Sequence, residues 1–412
     1  MCPSQKMNQI VMEESQDSDS SDSSISISDS DEEDNEVNMV SDSDDNKANK
    51  STEENPESEE EDEVIKAMRL ASKKKSNHPP PIKMEEDIST LSFHPHEEII
   101  AIADVSGDVH LYKYSLETNA CLSTLELHTT SCRDVDFSHD GNVMFSVGSD
   151  KSIMMSDMET QKLIKFYEDA HEHPINCISV VGEHLYSTGD DEGNVRLWDP
   201  RVDTQIYKAR KNEDYISEMI TNEEEQYLLC TSGDGSLTTF DLRKRNFLMQ
   251  SEEYQEDLTC IGLFRHETKV LVGTNKGKLL LFNWNQFGLH SDIFPGPKTP
   301  INSLVPITEN IVVTACDDGV LRATHLFPHR HLGIVGQHEN SSVEKVDICN
   351  NGTFVASFSP ENDVRFWNIE YFEDFDKVDR KHKKHNSKKE MKNNLPSSKY
   401  GNASDFFSGL IE

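Results

Sequence analysis

Apolar segments recur along the chain between about residue 82 and residue 376, with polar turn residues between them. In each repeat two apolar segments are followed by a tight turn and a third segment, and a weaker fourth follows in places such as Lys162 to Phe166. The segments are rich in β-branched and aromatic residues and are bounded by Gly, Asn, Asp and Pro, which is typical of β-strands. The predicted third strands are Val109 to Tyr114, Ile153 to Met158, Val195 to Trp198, Leu237 to Phe240, Leu279 to Phe282, Val320 to Thr324 and Val364 to Trp367.

One turn position recurs with nearly constant spacing before each predicted third strand. Successive positions lie 44, 42, 42, 42, 42 and 43 residues apart. The positions are Gly107, Lys151, Gly193, Gly235, Gly277, Gly319 and Asn362. A period of about 40–45 residues with four strands per repeat is typical of propeller blades. The sequence therefore predicts an all-β fold, a seven-bladed β-propeller over residues 82–376.

The last repeat ends near Trp367 and has no fourth strand of its own. The segment Ile82-Lys83-Met84 precedes the opening strand of the first repeat. We expect this segment to supply the missing outer strand, because a closed ring covers sheet edges that would otherwise invite aggregation.

The N-terminal end of the chain is strongly acidic. Residues 1–63 carry 22 Asp/Glu against 3 Lys/Arg and are rich in serine, so they bury too little apolar surface to fold. We expect residues 1–81 to form a disordered acidic N-terminal arm, with a short basic segment at 64–75. Four serines have an acid three residues later, which suits an acid-directed kinase, so both a solvating tail and a regulated binding arm stay open: Ser26, Ser28, Ser30 and Ser41.

Residues 377–412 are predicted to form a basic disordered C-terminal tail. Within it, residues 377–392 carry 8 Lys/Arg against 2 Asp/Glu. Such clusters act as nuclear address signals and can contact RNA phosphates weakly, whereas the alternative is a solvated linker. We interpret the cluster as nuclear targeting, through Arg380, Lys381, Lys383, Lys384, Lys388 and Lys389. The tail closes on an apolar motif that could dock on a partner or on the propeller: Phe406, Phe407, Leu410 and Ile411.

The predicted propeller body carries a net charge of −27, which repels phosphate backbones over most of its surface. The eight cysteines form no C-x-x-C pair and fall mostly in predicted strands, which favours buried thiols in a reducing compartment over disulfides or zinc. With no secretory signal and no run of about 18 apolar residues, the sequence predicts an intracellular protein without a membrane partner.

The stretch from Gly193 to Asp199 resembles the third-strand signature of the WD-repeat family, ending in the pair Trp198-Asp199. In the last repeat Trp367 is followed by Asn368. The resemblance implies that these tryptophans brace the blades together with a turn Asp six residues earlier. That position holds Asp150, Asp234 and Asp318, changes to Glu192 and Glu361, and is lost at Ser106 and Lys276; candidate partner histidines are His128, His171 and His338.

The acidic arm, the degenerate seven repeats and a basic tail closing on Ser404 to Leu410 together resemble the WD repeat-containing protein 55 family. The resemblance implies a nuclear and nucleolar protein, with the cytoplasm left open as a further location. It also implies a role in ribosomal RNA production and processing and in ribosome biogenesis. Its partners would be ribosome-assembly proteins.

Two consecutive repeats end in Asp-x-Arg, at Asp199-Pro200-Arg201 and Asp241-Leu242-Arg243. These resemble the paired boxes by which some WD-repeat proteins attach to the adaptor of a cullin-RING ubiquitin ligase. Arginines just after third strands lie on one rim and can make bidentate contacts. The alternative is an ordinary loop arginine paired with a nearby acid.

No catalytic, cofactor-binding or metal-binding residues are assigned from the sequence. We find no H-E-x-x-H, Walker-type loop, G-x-G-x-x-G or G-x-S-x-G motif, and we interpret His329-Arg330-His331 as a surface loop. The first hypothesis is thus a non-enzymatic scaffold for proteins, without a small-molecule substrate. The second is a substrate receptor for a ubiquitin ligase, and the third is an enzyme with its site in the channel.

Overall fold

The computed structural model describes residues 77–339 and 341–372, and within them the chain forms 28 β-strands. They build seven four-stranded sheets, and six of these sheets take four strands consecutive along the chain. Blade 1 contains β2 (Ile88–Phe93), β3 (Ile99–Asp104), β4 (Asp108–Lys113) and β5 (Ala120–Glu126). Blade 2 contains β6 (Cys132–Phe137), β7 (Val143–Gly148), β8 (Ile153–Asp157) and β9 (Lys162–Tyr167). Blade 3 contains β10 (Ile175–Gly182), β11 (Leu185–Asp190), β12 (Asn194–Trp198) and β13 (Tyr207–Arg210).

The remaining blades repeat this order, and every pair of neighbouring strands is antiparallel. Blade 4 contains β14 (Ile216–Thr221), β15 (Tyr227–Ser232), β16 (Leu237–Asp241) and β17 (Asn246–Gln250). Blade 5 contains β18 (Leu258–Phe264), β19 (Lys269–Thr274), β20 (Lys278–Asn283) and β21 (Asp292–Pro295). Blade 6 contains β22 (Ile301–Thr308), β23 (Ile311–Cys316), β24 (Val320–Leu326) and β25 (His329–Gln337). Blade 7 contains β26 (Lys345–Ile348), β27 (Phe354–Ser359), β28 (Asp363–Asn368) and, as its outer strand, β1 (Ile82–Lys83).

The prediction that the N-terminal piece closes the last blade is confirmed. Strand β1 pairs antiparallel with β28, with Ile82 opposite Val364 and Lys83 opposite Asp363. The Met84 N–H donates to the Asn362 carbonyl at 2.8 Å. The first and last blades are therefore joined by a strand taken from the start of the domain.

All seven predicted turn positions have positive φ, between 58° and 103°. At Gly193 (φ 74°) a Cβ atom would lie 2.5 Å from the carbonyl oxygen of Asn212, so glycine is required there by space as well as by conformation. Lys151 and Asn362 adopt the same left-handed region without being glycine, at φ 66° and 58°. The seven residues that mark the repeat period in the sequence therefore share one backbone conformation.

The core lies between blades rather than in one central body. Seven clusters of buried apolar side chains each combine residues of two neighbouring blades. One of them joins blade 7 to blade 1, where the Phe366 and Phe93 rings pack edge to face with centroids 6.3 Å apart. Seven interfaces for seven blades show that the ring is closed.

Two further sequence predictions concern the segment His329-Arg330-His331 and the burial of the cysteines. The interpretation of His329-Arg330-His331 as a loop is wrong, because these residues begin β25, where the His329 ring stacks on Phe294 at a centroid distance of 4.4 Å. Six of the seven cysteines in the described part are buried and all seven are free thiols, while Cys121 is exposed.

Residues 1–76 of the arm predicted at 1–81, with its basic segment 64–75, and the tail predicted at 377–412, with its terminal apolar motif, lie outside the described residues. No helix in the part of the chain that the structure describes is long and apolar enough to cross a membrane.

Candidate protein-interaction site

Blade 3 contains a chain of hydrogen bonds that fixes the loop before the blade to its third strand. The indole N–H of Trp198 donates to the Thr188 hydroxyl at 2.8 Å, and that hydroxyl lies 2.7 Å from Nε2 of His171. On the other side of the ring, Nδ1 of His171 lies 2.9 Å from the Asp190 carboxylate. A neutral imidazole that accepts from Thr188 and donates to Asp190 satisfies every group in the chain.

The electrostatics of this chain match that assignment. Burial lowers the pKa of His171, which keeps the ring neutral. Burial alone would raise the pKa of Asp190, but hydrogen bonds from His171 and from Asn194 hold it below its ordinary value. The four side chains therefore act as a brace and carry no unsatisfied charge.

Blade 7 repeats the tryptophan, hydroxyl and histidine part of the brace, with serine in place of threonine. The indole N–H of Trp367 donates to Ser357 at 2.8 Å, and Nε2 of His338 lies 2.8 Å from the same hydroxyl. The carboxylate near its Nδ1, at 3.4 Å, belongs to Asp363. The acid of the brace is thus Asp190 in blade 3 and Asp363 in blade 7, and the expected replacement acids Glu192 and Glu361 do not take this place.

The other three acids assigned to the brace have different partners. Asp150 lies 3.1 Å from Nδ1 of His128, so blade 2 keeps a His–Asp pair without a tryptophan. Asp234 accepts from the backbone N–H and hydroxyl of Ser236, and Asp318 forms an ion pair with Arg322. The residue at this position varies between blades, and so do the side chains and backbone groups to which it bonds.

Thr188→Val is expected to lower the free energy of unfolding by about 2–3 kcal/mol, because it leaves the buried Trp198 N–H without an acceptor. Urea denaturation followed by circular dichroism measures the change. Thr204→Val, the same substitution in an exposed loop, serves as the matched control. Equal midpoints for the two variants would contradict a bracing role for this hydroxyl.

The channel side of the propeller has a second repeated feature. One position in the first strand of each blade recurs with the same spacing as the turn, 44, 42, 42, 42, 42 and 43 residues. Six of its seven occupants are polar, although the strands around them are apolar. The position is held by Thr90, Asp134, Asn176, Glu218, Cys260, Asn302 and Lys345. We call this set the channel ring.

Each member of the channel ring bonds to the next blade. Thr90 of blade 1 donates to Asp134 at 3.3 Å, and the Asp134 carboxylate accepts the Ile178 N–H of blade 3 at 3.0 Å. The Glu218 carboxylate of blade 4 accepts an N–H of blade 5 at 2.7 Å, and Lys345 of blade 7 donates to Thr90 at 3.0 Å. The other contacts run from Asn176 to the Ile216 carbonyl (2.7 Å), from Cys260 to the Ile301 carbonyl (4.0 Å) and from Asn302 to the Val343 carbonyl (3.0 Å).

Five of these bonds satisfy backbone groups on the inner edges of sheets, which would otherwise be left as free edges, and the bonds between Thr90 and Asp134 and between Lys345 and Thr90 join side chains. Two further carboxylates add to the ring: Asp136 accepts the Val180 N–H, and Asp347 accepts the Phe93 N–H, both at 2.8 Å. The channel encloses a cavity of about 580 Å³. Its polar lining therefore serves first to hold neighbouring blades together.

Burial raises the pKa of three carboxylates of the channel, those of Asp136, Glu218 and Asp347. It reaches about 7 for Asp136 and for Glu218 and about 6 for Asp347. Burial opposes the charge of Lys345, yet the nearby Asp134 carboxylate holds the pKa of the lysine above its ordinary value. A neutral carboxyl is thus favoured by the fold, so these groups make stability depend on pH near neutrality.

Glu218→Gln is expected to remove part of that pH dependence. In the wild type the raised pKa stabilises the fold fully below about pH 4.5, and the gain is lost as the pH rises through about 7. Glutamine keeps an oxygen for the Ile261 N–H without the charge, so the variant should exceed the wild type by about 1 kcal/mol at pH 8 and match it near pH 5. Urea midpoints at both pH values, with the exposed Glu224→Gln as control, measure this difference. A variant that is less stable at pH 8 would contradict it.

The two Asp-x-Arg boxes have different geometries. In the first box Arg201 is held by its own acid, because Nε and Nη2 donate to the two Asp199 oxygens at 2.9 and 2.7 Å. This contact lowers the pKa of Asp199 to about 2. The guanidinium is nevertheless exposed, so it presents a charge that is already paired.

In the second box the acid and the arginine are not joined. Asp241 accepts the Lys244 N–H at 2.8 Å and lies 3.2 Å from its ammonium. Arg243 is exposed and donates to the Glu224 carbonyl at 3.2 Å. Both boxes follow third strands of adjacent blades, but only Arg243 presents a guanidinium that is not engaged by the carboxylate of its own box.

An exposed apolar strand lies beside the first box. Strand β9 is the outer edge of blade 2 and exposes Leu163, Ile164 and Phe166 by 46, 56 and 52 per cent. Two of its other side chains contact the loop of the first box, where Tyr167 donates to the Val202 carbonyl at 3.0 Å and Lys165 donates to Asp203 at 2.7 Å. Exposed apolar side chains on a sheet edge are a feature of protein-binding surfaces.

Comparison with known proteins decides the family. The WDR55 family matches residues 79–372, which cover the whole ring from the closing strand to the end of the last blade. The chain is 48% identical over 350 residues to the WD repeat-containing protein 55 homolog of Drosophila erecta, covering 85% of this chain and 70% of the relative. It is 50% identical over 348 residues to the homolog of Aedes aegypti, covering 84% and 74%.

The chain belongs to the WDR55 family.

Membership of the WDR55 family supports a WD-repeat protein-interaction scaffold, a fold that is generally non-catalytic. A chain of the solved structure titled "Crystal Structure of Mitotic Checkpoint Complex" matches with a TM-score of 0.64 at 14% identity, covering 72% of this chain and 93% of that chain. A likeness at that identity shows the propeller fold alone.

One group of potential metal ligands occurs among the described residues of this WDR55-family chain, formed by Asp104, Asp108 and His110 in blade 1. Asp104 accepts bonds from Ser106 and from the backbone N–H groups of Gly107 and Asp108, and it lies 3.0 Å from the His110 ring. Its oxygens are therefore engaged in holding the turn between β3 and β4.

Reasoning from sequence missed the channel ring of this WDR55-family chain. The sequence does contain a pattern that indicates the ring, because one position in each first strand recurs with the same spacing as the turns and is polar in six of the seven blades. Asp190 was missed for a different reason: it stands eight residues before Trp198, whereas the family pattern places the acid six residues before.

Proposed function

We propose that this WDR55-family protein is a nuclear and nucleolar scaffold that supports ribosomal RNA production and ribosome biogenesis. The family match over residues 79–372 is the observation that carries the proposal, since the resemblance to this family implies the role. The closed propeller supplies the rigid body, and partners are proteins that bind its rims and the exposed edge of β9.

The positions of the chain ends support a shared role for the two basic segments. The Asn368 side chain donates to the Asn77 carbonyl at 3.0 Å, so the chain enters and leaves the propeller at adjacent points. Along the sequence, the basic segment 64–75 ends two residues before Asn77, and the basic segment 377–392 begins nine residues after Asn368. The body repels phosphate backbones, so we assign nuclear targeting and weak RNA contact to these segments.

Neutralising the tail tests this assignment. Glutamine at Arg380, Lys381, Lys383, Lys384, Lys388 and Lys389 is expected to shift the tagged full-length protein out of the nucleolus and to reduce ribosomal RNA output several-fold. The control carries glutamine at six lysines of the propeller surface: Lys83, Lys113, Lys162, Lys211, Lys276 and Lys298. If location and RNA output both stay normal in the tail variant, the proposal fails.

The second candidate is a substrate receptor attached to the adaptor of a cullin-RING ligase through the paired boxes. Exposure of both arginines on adjacent blades favours it. Because Arg201 is already paired with Asp199, Arg243→Ala should reduce adaptor recovery in a pull-down more than Arg201→Ala. Unchanged recovery with both substitutions together would remove this candidate.

A further inference from the structure

The described chain enters the propeller between blade 7 and blade 1. The Asn77 carbonyl accepts the side-chain amide of Asn368 at 3.0 Å, and the Pro80 carbonyl accepts that of Asn119 at 2.6 Å. Asn368 ends β28 of blade 7, and Asn119 closes the loop between β4 and β5 of blade 1. The residues that precede Asn77 in the sequence therefore start beside these two elements.

The surface around this entry point combines exposed apolar side chains with acids. Leu116 in the loop of blade 1 and Tyr371 after β28 are exposed by 56 and 53 per cent. Residues 94–98, 113–119 and 368–372 contain one Lys or Arg, Lys113, and four exposed acids: Glu97, Glu98, Glu117 and Glu370. We call Leu116, Tyr371 and these four acids the entry patch.

Backbone hydrogen bonds hold the acids of the entry patch near the point of entry. The Tyr114 N–H donates to the Glu98 carbonyl at 3.1 Å, so the two loops of blade 1 at this end are neighbours. The Glu370 N–H donates at 3.2 Å to the side-chain oxygen of Asn368, whose amide holds Asn77. Beyond Phe372 the sequence adds further acids, at Glu373, Asp374 and Asp376. The entry patch is therefore a place to which a cationic segment is attracted.

The segment that comes just before the entry point has the opposite charge. Residues 64–75 carry five Lys/Arg and no acid, and Lys75 lies two positions before Asn77. Twelve residues in a helix span about 18 Å, so the whole segment stays close to the entry patch once Asn77 is fixed. Its short tether gives it an advantage over any separate partner of the same chemistry.

The pattern of this segment is that of an amphipathic helix. At 3.6 residues per turn, one side of the helix would hold Val64, Met68 and Ala71. The opposite side would hold cations, at Lys66, Arg69 and Lys73. The segment therefore offers an apolar face for Leu116 and Tyr371 as well as charge for the acids.

The other basic segment matches the entry patch less well. Residues 377–392 are also cationic and follow Phe372 closely, but their aliphatic side chains are Val378 and Met391, thirteen positions apart. They form no apolar face at helical spacing. The apolar part of the entry patch thus favours 64–75 as its occupant.

We propose that residues 64–75 form a short amphipathic helix that docks on the entry patch of their own chain. The apolar side of the helix covers the exposed apolar side chains of the patch, and Lys74 and Lys75 lie among its acids. The cations of the opposite side then face solvent in a fixed row. The docking does not depend on the nuclear role proposed above, so the two can fail separately.

Photo-crosslinking of the full-length protein tests the docking. With p-benzoylphenylalanine in place of Met68, we expect same-chain crosslinks to residues 94–98, 114–119 or 368–372, independent of protein concentration. The same probe in place of Lys66 is the matched control, because it has nearly the same tether but lies on the opposite side of the helix. It should give at least fivefold fewer of these crosslinks.

Equal yields from the two probe positions would show tethering without docking and would overturn the proposal. An absence of crosslinks to the entry patch would overturn it as well, as would crosslinks between isotopically labelled and unlabelled copies. The same probe in place of Met391 tests the tail as occupant and should also give at least fivefold fewer crosslinks than the probe at Met68. A higher yield from Met391 would assign the patch to the tail and overturn the choice of segment.

Charge reversal on the entry patch adds a second readout. Glu117→Lys combined with Glu370→Lys should reduce the crosslinks from Met68 several-fold, because both side chains are exposed and the new charges repel the segment. The control, Glu159→Lys combined with Glu168→Lys at exposed positions of blade 2, should leave them unchanged. Equal crosslinking in the two double variants would overturn the role of the patch acids.

Discussion

Replacing Ile82 with alanine is expected to lower the free energy of unfolding by about 2–4 kcal/mol, the usual cost of truncating a buried isoleucine. Ile82 is 4% exposed and packs in the apolar cluster between blades 7 and 1. It also sits in the two-residue strand that closes the ring, opposite Val364. The loss therefore weakens the one blade interface that joins the two ends of the domain.

Lys83→Ala is the matched control, because Lys83 lies next in the same strand and is exposed. Its expected effect is within about 0.5 kcal/mol. Urea denaturation gives both values, and hydrogen exchange should show faster exchange at the Val364 amide in Ile82→Ala alone. If the two variants unfold at the same midpoint, closure by β1 contributes little to stability.

Replacing Lys345 with methionine is expected to lower the free energy of unfolding by about 2–3 kcal/mol, because it leaves a buried carboxylate without its cation. The ammonium of Lys345 lies 2.5 Å from Asp134 and 3.0 Å from Thr90, so it links blade 7 to blades 2 and 1. The lysine side chain is 32% exposed, which places the effect below that of a fully buried pair.

The double variant Lys345→Met with Asp134→Asn separates the charge from the packing. Removing both charges should recover at least half of the stability lost in Lys345→Met, because no unpaired ion is left. Asp134→Asn alone is the second single variant and completes the double-mutant cycle. A double variant as unstable as the sum of the single variants would contradict an ion pair between these side chains.

The architecture could be predicted from sequence because two independent features, the turn position and the third strand, recur in every repeat. The turn position demands a left-handed backbone, which favours Gly or Asn, and six of its seven occupants are one of these. The third strands carry apolar and aromatic residues at a fixed distance after it. The closing role of Ile82 followed by elimination, because the seventh repeat lacked an outer strand.

The details of the side chains were less predictable, for physical reasons. Asp190 takes the bracing role in blade 3 because its carboxylate, and not that of the acid at the family position, lies within hydrogen-bond distance of His171. In blade 7 the carboxylate near His338 is that of Asp363, at 3.4 Å. The pairing of Arg201 with Asp199 depends on a local rotamer choice that spacing does not fix. The apolar exposure of β9 reflects its place at a blade edge, which is a property of the assembled ring.

Affinity purification of the tagged full-length protein, followed by mass spectrometry, tests the scaffold claim most directly. The tail variant with six glutamines serves for comparison. We predict that the full-length protein recovers ribosome-assembly proteins and that the tail variant recovers at least fivefold less of them. Recovery of cullin-ligase subunits without ribosome-assembly proteins, or of nothing above the untagged control, would contradict the account.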